Sequence, residues 1–127
     1  MLRIKRYVNE ALILALITGP GPKDARCVSL TPKSVGRERG RPVELRVRIH
    51  PEIRTDAVIE DGIMTMKADD PQALFWTFNE RGERVICGVI VDGTRGRQVG
   101  FGINGKKSDV HVWRAELLLE DVRKAVT

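Results

Sequence analysis

Residues 37–50 read RERGRPVELRVRIH, and the second half of this stretch predicts the local fold. From Val43 to His50, apolar and polar residues alternate strictly. Successive side chains of a β-strand point to opposite faces, so the pattern predicts a half-buried strand whose exposed face carries Arg46 and Arg48. Three more arginines lie in the glycine- and proline-containing loop that precedes this strand, at Arg37, Arg39 and Arg41.

The size and composition of the chain predict a single folded domain that spans residues 1–127. The chain has 127 residues, of which 42% are hydrophobic and 31% are charged. This length matches one typical domain, and the apolar content is too high for an intrinsically disordered chain. One hydrophobic core should therefore suffice for stability.

Both ends of the sequence predict helices. Near the N-terminus, Ile4, Val8, Leu12 and Ala15 follow a helical spacing and predict a helix over residues 3–18. Glycine and proline residues at positions 19–22 then end the helix. A closing helix is predicted over residues 115–126, with an apolar side formed by Leu118, Leu119, Val122 and Val126.

Turn signals between the two predicted helices indicate hairpins. Asp61-Gly62 separates two apolar runs, and both of its positions favour the positive φ of a tight hairpin turn. Residues 80–83 separate a second pair of strands, at 73–79 and 84–92. We therefore predict an α+β fold in which six to eight strands form a curled or barrel-like antiparallel sheet with an N-terminal and a C-terminal helix.

Charge is unevenly distributed along the chain, whose formal net charge is +5. Residues 1–54 contain 12 Lys or Arg and 5 Asp or Glu, whereas residues 55–80 contain 1 and 6. This segregation indicates one basic and one acidic surface. The basic surface would attract polyanions, and the acidic surface could support head-to-tail self-association.

The basic residues predict a surface that binds nucleic acid or another polyanion. Arginine binds phosphate through paired hydrogen bonds, and alternate strand positions lie about 7 Å apart, comparable with the spacing of phosphates along a strand. The alternative is a solvated sheet face on which Arg46 and Arg48 pair with Glu60 or other carboxylates. The candidate binding residues are Arg37, Arg39, Arg41, Arg46, Arg48, Arg95, Arg97, Lys106 and Lys107.

Aromatic residues at 75–78 provide a candidate stacking site. Unpaired bases stack on exposed aromatic rings in many proteins that bind single strands. Trp76 is the candidate for this role, although much of the cluster with Phe75 and Phe78 should lie in the core.

The sequence contains no recognisable catalytic or metal-binding motif, and we expect no enzymatic activity, metal ion or cofactor. Cys27 and Cys87 lack the spacing of a zinc site or a redox pair, and we expect both thiols to be free. His50 lies near Glu52 and could act as a base, but any exposed histidine near a glutamate would look the same. The sequence gives no clear role for His111.

These observations predict a small basic, non-enzymatic binding protein that engages nucleic acid. The free thiols and the shortness of the apolar run at 11–17 favour a cytoplasmic protein without a membrane anchor. The alternative is a protein–protein module: a subunit of a homo-oligomer, or a small adaptor or inhibitor of the mobile-element type that docks on an acidic protein surface. The apolar run at 11–17 supports the oligomer if it is not buried in the core of its own chain.

Overall fold

A computed structural model describes residues 1–21, 23–35 and 42–114, and the part of the chain that it describes is all-β. The strands form two antiparallel sheets of five strands each, with the order β1-β9-β8-β7-β5 in sheet A and β10-β2-β3-β4-β6 in sheet B. The strand bounds are β1 Leu2–Tyr7, β2 Leu12–Ile17, β3 Ala25–Ser34, β4 Val43–Ile49, β5 Arg54–Thr55, β6 Ile63–Met66, β7 Ala73–Phe78, β8 Arg84–Arg95, β9 Gln98–Asn104 and β10 Val110–Arg114.

The two sheets pack around one hydrophobic core, as expected for a small single domain. Each long strand contributes alternate residues to this core, because one of its faces is turned toward the other sheet. The buried side chains from both sheets form a single cluster. Its largest fully buried members are Phe75, Phe101, Leu12, Leu14, Leu16, Leu30 and Leu45.

The prediction of an N-terminal helix over residues 3–18 is wrong. This region forms β1 and β2, which are joined by a turn in which Asn9 has a φ of 72°. Strand β1 pairs with β9, and β2 lies between β10 and β3. The apolar run at 11–17 therefore lies in a central strand of sheet B. Leu12, Leu14 and Leu16 point into the core, so much of this run is buried within its own chain.

The described residues include no helix at all. The predicted C-terminal helix at 115–126, with Leu118, Leu119, Val122 and Val126, lies outside the described residues. Within residues 1–21, 23–35 and 42–114, no helix is long and apolar enough to cross a membrane.

The prediction of one curled or barrel-like sheet is also wrong, because the strands divide between two separate sheets. Hairpin neighbours such as β7 and β8 do pair, but the remaining order depends on distant pairings. In sheet A, β1 pairs with β9, and β5 pairs with β7 rather than with its sequence neighbour β6. These long-range pairs give a two-layered sandwich.

The predicted hairpin turns are present. Asp61 and Gly62 have φ values of 51° and 74°, as the predicted tight turn requires. Glu60 and Ile63 exchange both backbone hydrogen bonds across this turn. Gly82 has a φ of 76° in the turn between β7 and β8.

Both cysteines are free, and the burial of one of them makes stability depend on pH. Burial raises the pKa of the Cys87 thiol to about 12, whereas an unfolded cysteine titrates near pH 8.5. Because the folded state holds the proton more tightly, the stabilisation from the protonated thiol is complete below about pH 8.5 and is lost as the pH rises toward 12.

We expect the unfolding free energy to fall by up to about 1.4 kcal/mol per pH unit above pH 8.5 because of Cys87. Urea denaturation of the wild type and Cys87→Val at several alkaline pH values measures this, since other titrating groups are common to both proteins. The wild type should lose more stability than Cys87→Val. Parallel losses would show that Cys87 does not titrate as its burial requires.

Candidate nucleic-acid interface

The strand that carries Arg46 and Arg48 has the predicted orientation. In β4, Val43, Leu45 and Val47 are buried, whereas both arginines are exposed on the outer face of sheet B. We call this surface, away from the core, the outer face of sheet B. Its central strands are β2, β3 and β4.

The neighbours of the two arginines across the sheet are uncharged. Arg46 lies opposite Thr31 in β3 and Ile63 in β6. Arg48 lies opposite Ser29. The hydroxyl groups of serine and threonine can donate hydrogen bonds to the same phosphate that an arginine contacts.

Neither arginine is held by a carboxylate in the described part of the chain. The ion pairs there join Arg3 to Asp92, Arg6 to Glu10 and Arg26 to Glu52. The pairing with Glu60 that the sequence left open is not formed, because Glu60 lies in the turn before β6 and Ile63 faces Arg46. Glu44 is the nearest acidic residue along the strand and lies about 7 Å from Arg46.

Trp113, which was not among the predicted stacking residues, lies on the outer face of sheet B. The register places Trp113 opposite Ile13, Ile13 opposite Ser29, and Ser29 opposite Arg48. Three strand spacings put Trp113 about 14 Å from Arg48. Alternation within β10 was the signal available in the sequence, since Val110 and Val112 face inward and His111 and Trp113 face outward.

Trp76, the stacking residue predicted from the sequence, lies on a different surface. It is half-buried on the outer face of sheet A, the opposite surface of the sandwich, where it pairs with Arg54 and Ile86. The guanidinium group of Arg84 lies 4.9 Å from the centre of its ring. The structure therefore does not bring Trp76 to the face of Arg46 and Arg48.

Arg95, the last residue of β8, and Arg97, in the turn between β8 and β9, lie at one end of the sandwich, and both are exposed. The backbone N–H of Val8 donates to the carbonyl oxygen of Arg97 at 3.0 Å, and the N–H of Asn9 donates to that of Pro32 at 2.8 Å. Pro32 follows Thr31, the partner of Arg46, so this basic turn adjoins the edge of the outer face of sheet B. Arg37, Arg39 and Arg41 lie outside the described residues.

Lys106 and Lys107 lie at the other end. They belong to the β9–β10 loop, whose Asp109 carbonyl oxygen accepts the N–H of Ile17 at the far end of β2. The two glycine-containing basic loops therefore do not converge, in agreement with their positions at opposite ends of the predicted strand.

Neither histidine forms an acid–base pair with a carboxylate of the described residues. The N–H of Glu52 donates to Nδ1 of His50 at 3.1 Å, while the Glu52 carboxylate accepts from Nε of Arg26 at 2.7 Å. This hydrogen bond and the charge of Arg26 lower the pKa of Glu52. His111 is exposed beside Ala15.

Comparison with known proteins does not add to this description. No family model matches the chain, and no curated protein or solved structure is significantly similar to it. A function must therefore be argued from the structure itself, and the outer face of sheet B provides the strongest basis.

Proposed function

We propose that this protein binds single-stranded nucleic acid on the outer face of sheet B. The observation that carries the proposal is the exposure of Arg46 and Arg48, beside Thr31 and Ser29, with no carboxylate paired to either arginine in the described residues. Arginines that already neutralise carboxylates would have less to gain from phosphates. With respect to the described residues, these two arginines therefore remain available to bind an anion.

The position of Trp113 favours a single strand over a duplex. Its half-buried ring lies in the same row as Arg48, at the β10 edge of the face, and an apolar strip formed by Ile13, Ala15 and Ile17 of β2 lies between this ring and the arginines. An unpaired base can stack on such a ring while the backbone follows the arginines, whereas the bases of a duplex are already stacked on one another. Phosphate contacts alone carry no sequence information, so we expect weak sequence preference.

Salt-dependent binding tests this proposal. Fluorescence anisotropy of a labelled oligonucleotide of about 20 nucleotides, single-stranded or duplex, would give affinities between about 50 and 200 mM NaCl. We expect tighter binding to the single strand and a slope of log K against log salt near −1.5 for two phosphate contacts, and steeper if Arg95 and Arg97 take part. Undetectable binding at micromolar protein and low salt would refute the proposal.

A second candidate function is docking to another protein. Phe78 and Tyr7 are each more than half exposed on the outer face of sheet A, where Trp76 and Ile90 are half-buried. Aromatic residues are enriched at protein interfaces. This surface is opposite the basic one, so the two functions can be separated by mutation.

A further inference from the structure

One lateral side of the sandwich contains an open cleft. Strands β5 and β6 form the edges of the two sheets on this side, and a cleft of about 560 Å³ lies between them. Met64, Met66 and Ala73 form its apolar floor. Asp56, Glu60 and Asp70 also line it, and Val58 at its rim is 75% exposed.

Within the described residues, the outer edge of β6 is free at Thr65 but occupied on either side of it, since the N–H of Lys67 donates to Oδ2 of Asp70 and the N–H of Asp70 donates to the carbonyl oxygen of Lys67. Ile63 exchanges its backbone hydrogen bonds with Glu60, and the carbonyl oxygen of Gly62 accepts the N–H of Val47 at 2.8 Å. Backbone groups alternate in direction along a strand, so Met64 and Met66 bond to β4 and the N–H and C=O of Thr65 point outward. No strand in the described residues pairs with this edge.

On the opposite lateral side, the edge strand β1 of sheet A is basic. Strand β1 pairs only with β9 among the described strands, and the Val8 N–H donates to Arg97. By the same alternation, the backbone groups of Arg3 and Lys5 point away from β9. Both side chains are exposed, and Lys5 has no ion pair within the described residues. Leu2 on this strand is 50% exposed.

We propose that β1 of one copy of this chain docks along β6 in the acidic cleft of a second copy. The backbone of Thr65 in the second copy would bond to β1 of the first copy and so extend sheet B of the second copy, as in strand addition to a sheet edge. The basic residues of β1 then face Asp56, Glu60 and Asp70. Exposed apolar residues, Leu2 and Val58, meet in the same contact.

This contact joins two different surfaces, so it is heterologous and propagates into an open chain or closes into a ring. Its small edge-to-edge area places it among weak and transient interfaces. Charge complementarity makes it sensitive to salt. The inference goes beyond the proposed function, since it involves neither Arg46 nor Arg48 and needs no nucleic acid.

Sedimentation velocity of the protein alone tests this inference. We expect the weight-average sedimentation coefficient to rise with protein concentration at low salt and to fall on addition of salt. Lys5→Glu and Glu60→Lys should each weaken association by about tenfold, because each places like charges opposite one another. Both residues are exposed, and the turn conformations at Asp61 and Gly62 do not require Glu60, so both variants should fold.

Restoration of opposite charges gives the decisive comparison. The double variant Lys5→Glu/Glu60→Lys should regain most of the lost association, as should an equimolar mixture of the two single variants. Lys23→Glu and Glu83→Lys make the same charge changes at exposed positions outside the two surfaces and should associate like the wild type. A wild type that stays monomeric at low salt overturns the inference, as does failure of the double variant to recover. Loss of nucleic-acid binding alone would leave this result unchanged.

Discussion

Reversal of both charges on β4, in Arg46→Glu/Arg48→Glu, should lower the affinity for single-stranded nucleic acid by about 100-fold at 50 mM salt. The variant loses two phosphate contacts and places two carboxylates where phosphates would lie. The slope of log K against log salt should become shallower by about 1.5. Fluorescence anisotropy with the oligonucleotide used for the wild type measures both quantities.

A matched control is available at the far end of the sandwich. Lys106→Glu/Lys107→Glu changes the net charge by the same amount, but these lysines lie in the β9–β10 loop. If binding depends on the outer face of sheet B, this control should lose only a few-fold in affinity. Equal losses in both variants would show that net charge, rather than this face, determines binding.

Arg95→Glu/Arg97→Glu should have an intermediate effect, because the backbone contacts of Val8 and Asn9 place the β8–β9 turn beside the same face. Stability should be nearly unchanged in all three variants, since the substituted side chains are exposed and none has an ion pair in the described residues. Urea denaturation checks that a loss of affinity is not a loss of fold.

The sequence predicted local strands well where alternation or a turn signal was clean. Residues 43–49 alternate without exception, and the Asp61-Gly62 turn requires a backbone conformation that few other residue pairs adopt readily. The hairpin of β7 and β8 follows from a short polar turn between two apolar strands. In each case the information is contained within about ten residues.

The N-terminal error has an identifiable physical origin. Ile4, Val8 and Leu12 are spaced by four residues, which fits a helical period of 3.6 and is also a multiple of the strand period of two. Arg6 then hides the alternation of β1, because it takes an inward position in line with Leu2 and Ile4 and its side chain is buried. A charged residue at an inward position is read from sequence as an exposed one.

The division into two sheets could not be predicted because it depends on pairing between distant strands. Nothing near residues 2–7 identifies β9 as their partner, and hairpin signals link only neighbours in sequence. The same limit affected the candidate site. The alternation correctly predicted that Arg46 and Arg48 face outward. It could not show that Trp76 belongs to the other sheet or that Trp113 shares a row with Arg48.

The aromatic cluster of β7 leads to the largest expected effect on stability. Phe75 is fully buried, with its strand neighbours Thr55 and Cys87 on either side in sheet A, whereas Phe78 is 54% exposed on the outer face. Phe75→Ala should lower the unfolding free energy by about 3–5 kcal/mol, because it removes buried apolar surface and leaves a cavity. That loss is a large part of the about 5–15 kcal/mol that stabilises a typical domain.

Urea denaturation of Phe75→Ala and Phe78→Ala provides a comparison within one strand. Because Phe78 is exposed, Phe78→Ala should lower the unfolding free energy by no more than about 0.5 kcal/mol. Phe75→Leu should cost less than about 1.5 kcal/mol, because it retains most of the buried volume. Similar losses for Phe75→Ala and Phe78→Ala would mean that β7 does not turn alternate residues toward the core. Because Phe75 faces away from both outer surfaces, its variants should lose nucleic-acid affinity only in proportion to the unfolded fraction, which separates the core of the sandwich from the face proposed to bind.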